Sequence, residues 1–243
     1  YSEHARRYLA ECGVPRERTY VTGSPMAEVL TNNLQSILGS DIHKKISEET
    51  GKEIGPGRYI LLSAHREENI DTEKNFLSLF KAVNAMAEEY RMPVLYSCHP
   101  RSRKRLMQMK GEGKFQLHPD VIAHEPLGFH DYNCLQMHAF CVVSDSGTLP
   151  EESSFFVSIG KPFPAVCIRT STERPEALDK GCFILSGIDQ RGLLQSVEMA
   201  VGMKGDYGVP VPDYMDTNVS MKVVRIIQSY TGIVNRMVWR KEG

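Results

Sequence analysis

Apolar residues along this chain keep two alternating rhythms. Short unbroken runs have the length and continuity of strands buried on both faces: "YILLSA" at 59–64, "PVLYS" at 93–97, "VIA" at 121–123, "FCVVS" at 140–144, "PAVCI" at 164–168 and "CFILSG" at 182–187. "RTYVTG" at 18–23 reads as one more short strand. Between these runs apolar positions recur every three or four residues, the period of an amphipathic helix. The first such stretch, "SEHARRYLAECG", has Ser2 as cap, a stripe of Ala5, Tyr8, Leu9 and Cys12, and Gly13 as its close.

The next, "PMAEVLTNNLQSILG", starts at Pro25, carries Met26, Val29, Leu30, Leu34, Ile37 and Leu38 on one face, and stops at Gly39. A polar helix is expected at 41–51, then one capped by Asp71 or Thr72 whose buried stripe is Phe76, Leu77, Phe80, Val83, Ala87 and Tyr90. Further helices are predicted at 102–110, 131–139, 149–160, 174–181 and 192–201. The last, 219–238, bears Val223, Ile226, Ile227, Tyr230, Val234 and Met237, with a weak point at Thr231-Gly232. Strands alternating with helices predict an α/β fold, a doubly wound parallel sheet of Rossmann-like type. Ligands of such sheets sit beyond the carboxyl ends of the strands. The loops there are "HREEN", "CHPRS", "HEPLGFH", "DSGT" and "RTSTERPE", all dense in polar chemistry.

Composition removes several classes of function. The 243 residues are 41% hydrophobic and 24% charged with net charge −1, which offers no global field for nucleic acid or an anionic membrane. No apolar run approaches the roughly 18 residues of a membrane span, and no signal peptide opens the chain. The six cysteines never form a C-x-x-C pair and mostly adjoin apolar residues, as buried thiols of a reducing, cytoplasmic compartment do. The chain begins at Tyr1, inside a complete helix pattern with nothing before it to pack on, so a fragment of a longer protein is expected.

In "VVSDSGTLPEES" the strand stops at Ser144 and a helix opens near Thr148, with Pro150 tolerated in its first turn. The N–H groups of Ser146, Gly147 and Thr148 are expected to face the crevice unpartnered, aided by the helix dipole, as an anion site. Gly147 allows a phosphate close to the backbone. Glu152, about 4–6 Å further along the axis at ~1.5 Å per residue, suits the vicinal hydroxyls of a ribose. The plain alternative is a capped helix with two solvated glutamates, Glu151 and Glu152. His65 and Arg66 follow a buried strand, where an imidazole can bond a phosphate or move a proton and a guanidinium can clamp an anion. A surface loop capping the next helix is the alternative there.

Arg169 and Arg174 flank Glu173 near a further helix start, which suggests another diphosphate contact or a plain ion-paired loop. His99 lies in a loop on the same edge, followed by Arg101, Arg103, Lys104 and Arg105, which read as a solvated helix face rather than a nucleic-acid site. Tyr132 reads as wall or core and could stack on a base. His118, His124, His130 and His138 lack zinc-site spacing, so no metal is expected. The chain has neither G-x-G-x-x-G nor a P-loop, and no bound cofactor is expected.

Together "SAHREEN", "CHP", "EPLGFHDY", "SDSG…EE" and "TSTERPEA", in this order, resemble the UDP-N-acetylglucosamine 2-epimerase family over essentially the whole chain. The resemblance implies the C-terminal half of a GT-B-type architecture. Residues 1–24 would end a truncated N-terminal Rossmann-like domain, and 25–243 would be the UDP-binding domain, whose last helix braces the first. It implies C2 inversion of a UDP-N-acetylhexosamine through elimination and re-addition of UDP, without a cofactor, in a protein that is commonly a homodimer. By position, Ser146, Gly147 and Thr148 would hold the diphosphate, Glu152 the ribose and Tyr132 the uracil. Arg66 and Arg174 would contact UDP, and His65 would act at the leaving group; His99, Glu151, Arg169 and Glu173 are further candidates.

Two features depart from the family pattern. Thr148 stands where it has a second glycine, and Pro150 where it has glutamine. The form "DSGTLPEESSFF", with "TSTERPEALDKG", is similar to the branch that makes UDP-N-acetyl-L-fucosamine from UDP-2-acetamido-2,6-dideoxy-L-talose for capsule or O-antigen. The family's acidic proton-transfer residues lie in the N-terminal domain, outside these residues, so this polypeptide alone is expected to bind UDP weakly without turnover. A GT-B glycosyltransferase, a hydrolysing epimerase and a non-catalytic UDP-sugar-binding module are the competing readings.

Overall fold

The computed structural model describes residues 1–203 and 205–241; the last two residues of the expected C-terminal domain, 242–243, lie outside the described residues. Six parallel strands form one sheet: β1 (Ile60–Ser63), β2 (Val94–Ser97), β3 (Val121–His124), β4 (Cys141–Ser144), β5 (Ala165–Cys167) and β6 (Ile184–Leu185). Their order is β3-β2-β1-β4-β5-β6. The chain therefore builds outward from β1 in one direction, returns, and builds outward from β4 in the other. The reversal falls between β1 and β4, which pair in register with Ser63 opposite Ser144 at their carboxyl ends.

The helices are α1 (Glu3–Glu11), α2 (Met26–Leu38), α3 (Ile42–Thr50), α4 (Glu67–Ile70), α5 (Glu73–Tyr90), α6 (Pro100–Gly111), α7 (Phe129–His138), α8 (Leu149–Ser158), α9 (Pro175–Asp179), α10 (Gln190–Gly202) and α11 (Val219–Met237). Alternate strand residues feed two cores. Leu61, Leu95, Val142 and Ala165 pack with α2, α3, α7, α8 and α9. Ile60, Leu62, Val94, Tyr96 and Val143 pack with α5, α6 and α10 on the other face. Both faces are dry, which is why the strands read as continuous apolar runs rather than alternating ones.

Several expectations are corrected. Residues 18–23 form no strand: a 3-10 turn takes Arg16–Arg18 and the rest is irregular, because no described strand lies beside it to accept pairing. Thr72, not Asp71, caps α5, its hydroxyl accepting from Asn75 N–H at 3.1 Å. The loop after β1 contains a helical turn of its own, α4. Gly232 does not interrupt α11. The stripes expected on α1 and α11 are not buried: Leu9 is 44% and Ile227 59% exposed, and Val219 alone is buried among the residues of α11. α11 is nonetheless tied to the chain's start, with the Tyr20 and Tyr230 rings 5.2 Å apart and Tyr230 Oη donating to Glu17 O at 2.7 Å.

Gly208 shows how tightly the segment before α11 is seated. Its φ is +88°, and an added Cβ would fall 2.5 Å from the carbonyl carbon of Gly181. Gly51, at φ +68°, has open space around it. Gly208→Ala is expected to destabilise the fold by about 1–3 kcal/mol, the scale of a strained backbone position, and Gly51→Ala by less; urea unfolding midpoints compare them.

Candidate functional site

The polar site lies where the strand order reverses, and a buried carboxylate organises it. Asp145, the residue after β4, is 1% exposed. It accepts from the backbone N–H of His65 (2.9 Å) and Arg66 (2.9 Å) and from Asn69 Nδ2 (3.0 Å). The other Asn69 amide proton goes to Ile168 O at 2.9 Å, just past β5. Arg66 Nε donates to Asp145 O at 3.2 Å. Asp145 and Asn69 thus bind together the loops that leave β1, β4 and β5. The guanidinium of Arg66 is delivered against the turn after β4: a Cβ on Gly147 would meet Arg66 Nη2 at 3.1 Å.

The turn itself differs from expectation. Ser146 N–H donates to Ser144 Oγ at 3.0 Å and Thr148 N–H to Ser146 Oγ at 3.3 Å. Only Gly147 N–H of the three expected amides makes no hydrogen bond among the described residues. The reason is local. Serine and threonine hydroxyls within two residues of a free N–H capture it before any ligand can. The mouth of α8 is therefore a hydroxyl-lined shelf with one bare amide, and Ser146 Oγ lies 2.9 Å from Thr148 Oγ1.

The paired glutamates are not solvated. Glu152 is buried, with Oε1 accepting from Thr148 Oγ1 at 2.8 Å and Oε2 from Gln136 Nε2 at 2.7 Å. Burial pushes its pKa up. Beside it the Tyr132 phenol is pushed up by burial and then by the Glu152 charge, and its oxygen is buried without a hydrogen bond. Glu151 points the other way. It accepts from Tyr1 Oη, from Ser24 Oγ at 2.7 Å and from Arg174 Nε at 3.0 Å, and the Arg174 guanidinium lies 4.8 Å over the Tyr1 ring.

Arg169, 6% exposed, is held by Glu173 through two bonds of 2.6 and 2.8 Å. His65 is exposed at the rim. Partial loss of water around its ring pushes its pKa down, Asp145 opposes that, and His99, 6.3 Å away between ring centroids, adds to it.

The candidates thus form four groups along one edge of the sheet. His65, Arg66 and Gly147 gather around Asp145, with the His99 ring beside His65. Tyr132, Thr148 and Glu152 gather around Gln136. Glu151 and Arg174 join the start of the chain, while Arg169 and Glu173 hold each other. Arg174 Nε and Arg169 are engaged by carboxylates of the chain itself, whereas Arg66 Nη2 lies 3.1 Å from where a Cβ on Gly147 would stand. Sequence reasoning missed Asp145, Asn69 and Gln136. Asp145 stood inside the quoted "DSGT", and a carboxylate directly after an apolar strand was the signal for it. Nothing in the spacing marked Gln136.

Doubly wound sheet, reversed strand order and a cluster of polar side chains at the reversal define a Rossmann-like α/β unit with its candidate site at the carboxyl edge. The family model for UDP-N-acetylglucosamine 2-epimerase matches residues 1–228, and the chain belongs to that family. A UDP-N-acetylglucosamine 2-epimerase of Methanocaldococcus jannaschii is 24% identical over 226 residues, covering 93% of this chain and 59% of its own length. That of Salmonella typhimurium is 25% identical over 235 residues, 94% of this chain and 60% of its own. Among solved structures, the UDP-N-acetylglucosamine 2-epimerase of Rickettsia bellii superposes with TM-score 0.86 at 38% identity, covering 99% of this chain and 61% of that one. The M. jannaschii enzyme in complex with UDP-GlcNAc and UDP superposes at 0.79 with 24% identity, covering 94% and 59%. The chain spans about 60% of the length of these relatives.

Asp145→Asn should cost about 1–3 kcal/mol in urea unfolding, because an amide nitrogen would then face buried N–H donors. The Arg169–Glu173 pair gives a pH test. Hydrogen bonding from Arg169 holds the Glu173 pKa at about 2 against an ordinary 4.5. A depressed folded-state pKa means that the pair's contribution is complete above pH 4.5 and is lost as pH falls to about 2. Stability of wild type against unfolding should fall through that window, and Glu173→Gln should flatten that part of the curve.

Proposed function

We propose that this chain is the nucleotide-binding part of a UDP-N-acetylhexosamine 2-epimerase and that UDP lies along the β1–β4 cleft. The observation that carries this is the bare Gly147 N–H beside the Arg66 guanidinium at the mouth of α8, with a buried carboxylate one turn inside. A diphosphate there accepts from Gly147 N–H and Arg66, and from the Ser146 and Thr148 hydroxyls once they turn outward. Glu152, already accepting from two donors, takes the ribose hydroxyls by exchanging the Thr148 or Gln136 bond. Tyr132 lines the base, Arg174 reaches the diphosphate from the far side, and His65, kept neutral near pH 7 by its lowered pKa, bonds the leaving diphosphate.

The reaction proposed is elimination followed by re-addition. A base takes the C2 proton, the anomeric C–O bond breaks, and UDP departs with the bonding pair, leaving a 2-acetamidoglycal. UDP then re-adds at C1 while a proton returns to C2 from the opposite face. In the whole protein the acidic groups that move this proton come from a preceding Rossmann-like domain in a GT-B arrangement. Residues 1–24 are its end and α11 its brace, and the exposed apolar face of α11 supports that role. The substrate proposed is UDP-2-acetamido-2,6-dideoxy-L-talose, giving UDP-N-acetyl-L-fucosamine in capsule or O-antigen synthesis, in a cytoplasmic homodimer. The "DSGTLPEESSFF" form of the turn supports that choice.

Titration calorimetry of this chain should detect UDP binding, weakened about tenfold or more (~1.4 kcal/mol) by Gly147→Ala, whose methyl group would meet Arg66. The chain alone should not turn over. The full-length protein with its UDP-sugar in heavy water should place deuterium at C2 without any acceptor. A glycosyltransferase would leave C2 unlabelled, and a hydrolysing enzyme would release free sugar.

A further inference from the structure

A second cluster of chemistry lies at the opposite end of the sheet. His43 on α3 meets Cys134 and His138, which are four residues apart on one face of α7, and one donor atom from each lies within 4.8 Å of the other two. His43 Nδ1 is 4.0 Å and His138 Nδ1 3.8 Å from Cys134 Sγ. Tetrahedral zinc, with bonds of 2.0–2.1 Å to nitrogen and 2.3 Å to sulfur, requires a sulfur–nitrogen edge of about 3.6 Å. The two sulfur–nitrogen distances stand a few tenths of an ångström outside that geometry, and all three donor atoms lie within 4.8 Å of one another.

The hydrogen bonds around His43 fix its tautomer for ligation. Tyr59 Oη has one proton and donates it to Leu135 O at 2.6 Å. Towards His43 Nε2, 3.1 Å away, it can then only accept, so Nε2 carries the ring proton and Nδ1 presents its lone pair to the sulfur. A ligating histidine whose other nitrogen is held by an outer partner is the usual arrangement of protein zinc sites. Tyr59 is fully buried and cannot easily move away. His138 Nδ1 bonds Cys134 O at 2.9 Å within its own turn. Ligation by that nitrogen moves its proton to Nε2 through solvent and turns the ring off the carbonyl, exchanging one local hydrogen bond for a coordinate bond.

We infer that His43, Cys134 and His138 form a binding site for a zinc-class divalent cation, with water in the fourth position. Cys134 is buried, while both histidines are half-buried and admit an ion from solvent. Binding releases the thiol proton and cross-links α3 to α7, which are joined here across 91 residues of chain. The site lies beside Gly57 and Tyr59, at the entry to β1, away from the cleft at its exit. Its role is therefore to staple the fold rather than to touch substrate.

Cobalt(II) titration of the metal-free chain tests this directly. Wild type should take up one cobalt with the near-ultraviolet thiolate-to-cobalt band and the visible bands of a tetrahedral ion, and zinc should displace it and raise the melting midpoint. Cys134→Ser should abolish the thiolate band. Tyr59→Phe, which keeps the buried ring, should bind 10- to 100-fold more weakly, the usual loss for an outer-shell partner. A wild-type chain that takes up no cobalt, or a thiolate band that survives Cys134→Ser, overturns the inference.

Discussion

The polar cluster at the ends of β1 and β4 depends on a carboxylate that water cannot reach. Burying Asp145 would be costly if it were bare, because a desolvated charge must be compensated by donors at close range. Three N–H groups from residues 65–69 supply that compensation, and they do so only when the loop after β1 is folded over the end of β4. The need to satisfy one charge therefore dictates the path of a loop. From that path follow the rim position of His65, the placement of Arg66 on Gly147 and the link from Asn69 to the end of β5.

The two glutamates of α8 show how adjacent residues acquire different tasks. Successive helical positions point about 100° apart, so Glu151 and Glu152 face different neighbours. Glu151 is enclosed by Tyr1, Ser24 and Arg174, and so fastens the first residues of the chain to the domain. Glu152 faces α7, where Gln136, with Thr148 at the start of α8, gives it exchangeable partners and an unbonded phenol sits close by. A polar pocket with unmet hydrogen-bonding capacity is poised to accept hydroxyls from outside, whereas a fully met ion pair is not.

Much of this fold could be read from the sequence because both faces of the sheet are covered. "YILLSA" and "FCVVS" needed no alternation to be recognised, and glycine and threonine marked the helix ends. The failures share a cause. "RTYVTG" has the composition of a strand but no neighbour to pair with, and pairing is not a local property. The stripe on α11 was correctly seen as apolar, yet periodicity does not say what covers it. His65 and Arg66 were singled out as candidates because polar chemistry directly after a buried strand is conspicuous, and Glu152 because it follows one turn into the next helix. The loss of two free amides to the hydroxyls of Ser144 and Ser146 was not, since it turns on bond directions within one turn. The approach of His43 to Cys134 and His138 depends on how α3 lies against α7, which no spacing along the chain encodes.

The central claim is that the bare Gly147 amide and Arg66 grip a pyrophosphate at the point where strand order reverses. A crystal structure of this chain grown with UDP measures that most directly. The account predicts phosphate oxygens within hydrogen-bond distance of Gly147 N and the Arg66 guanidinium, with the ribose at Glu152. UDP bound elsewhere, or a cleft still closed by the protein's own side chains at saturating nucleotide, would contradict it.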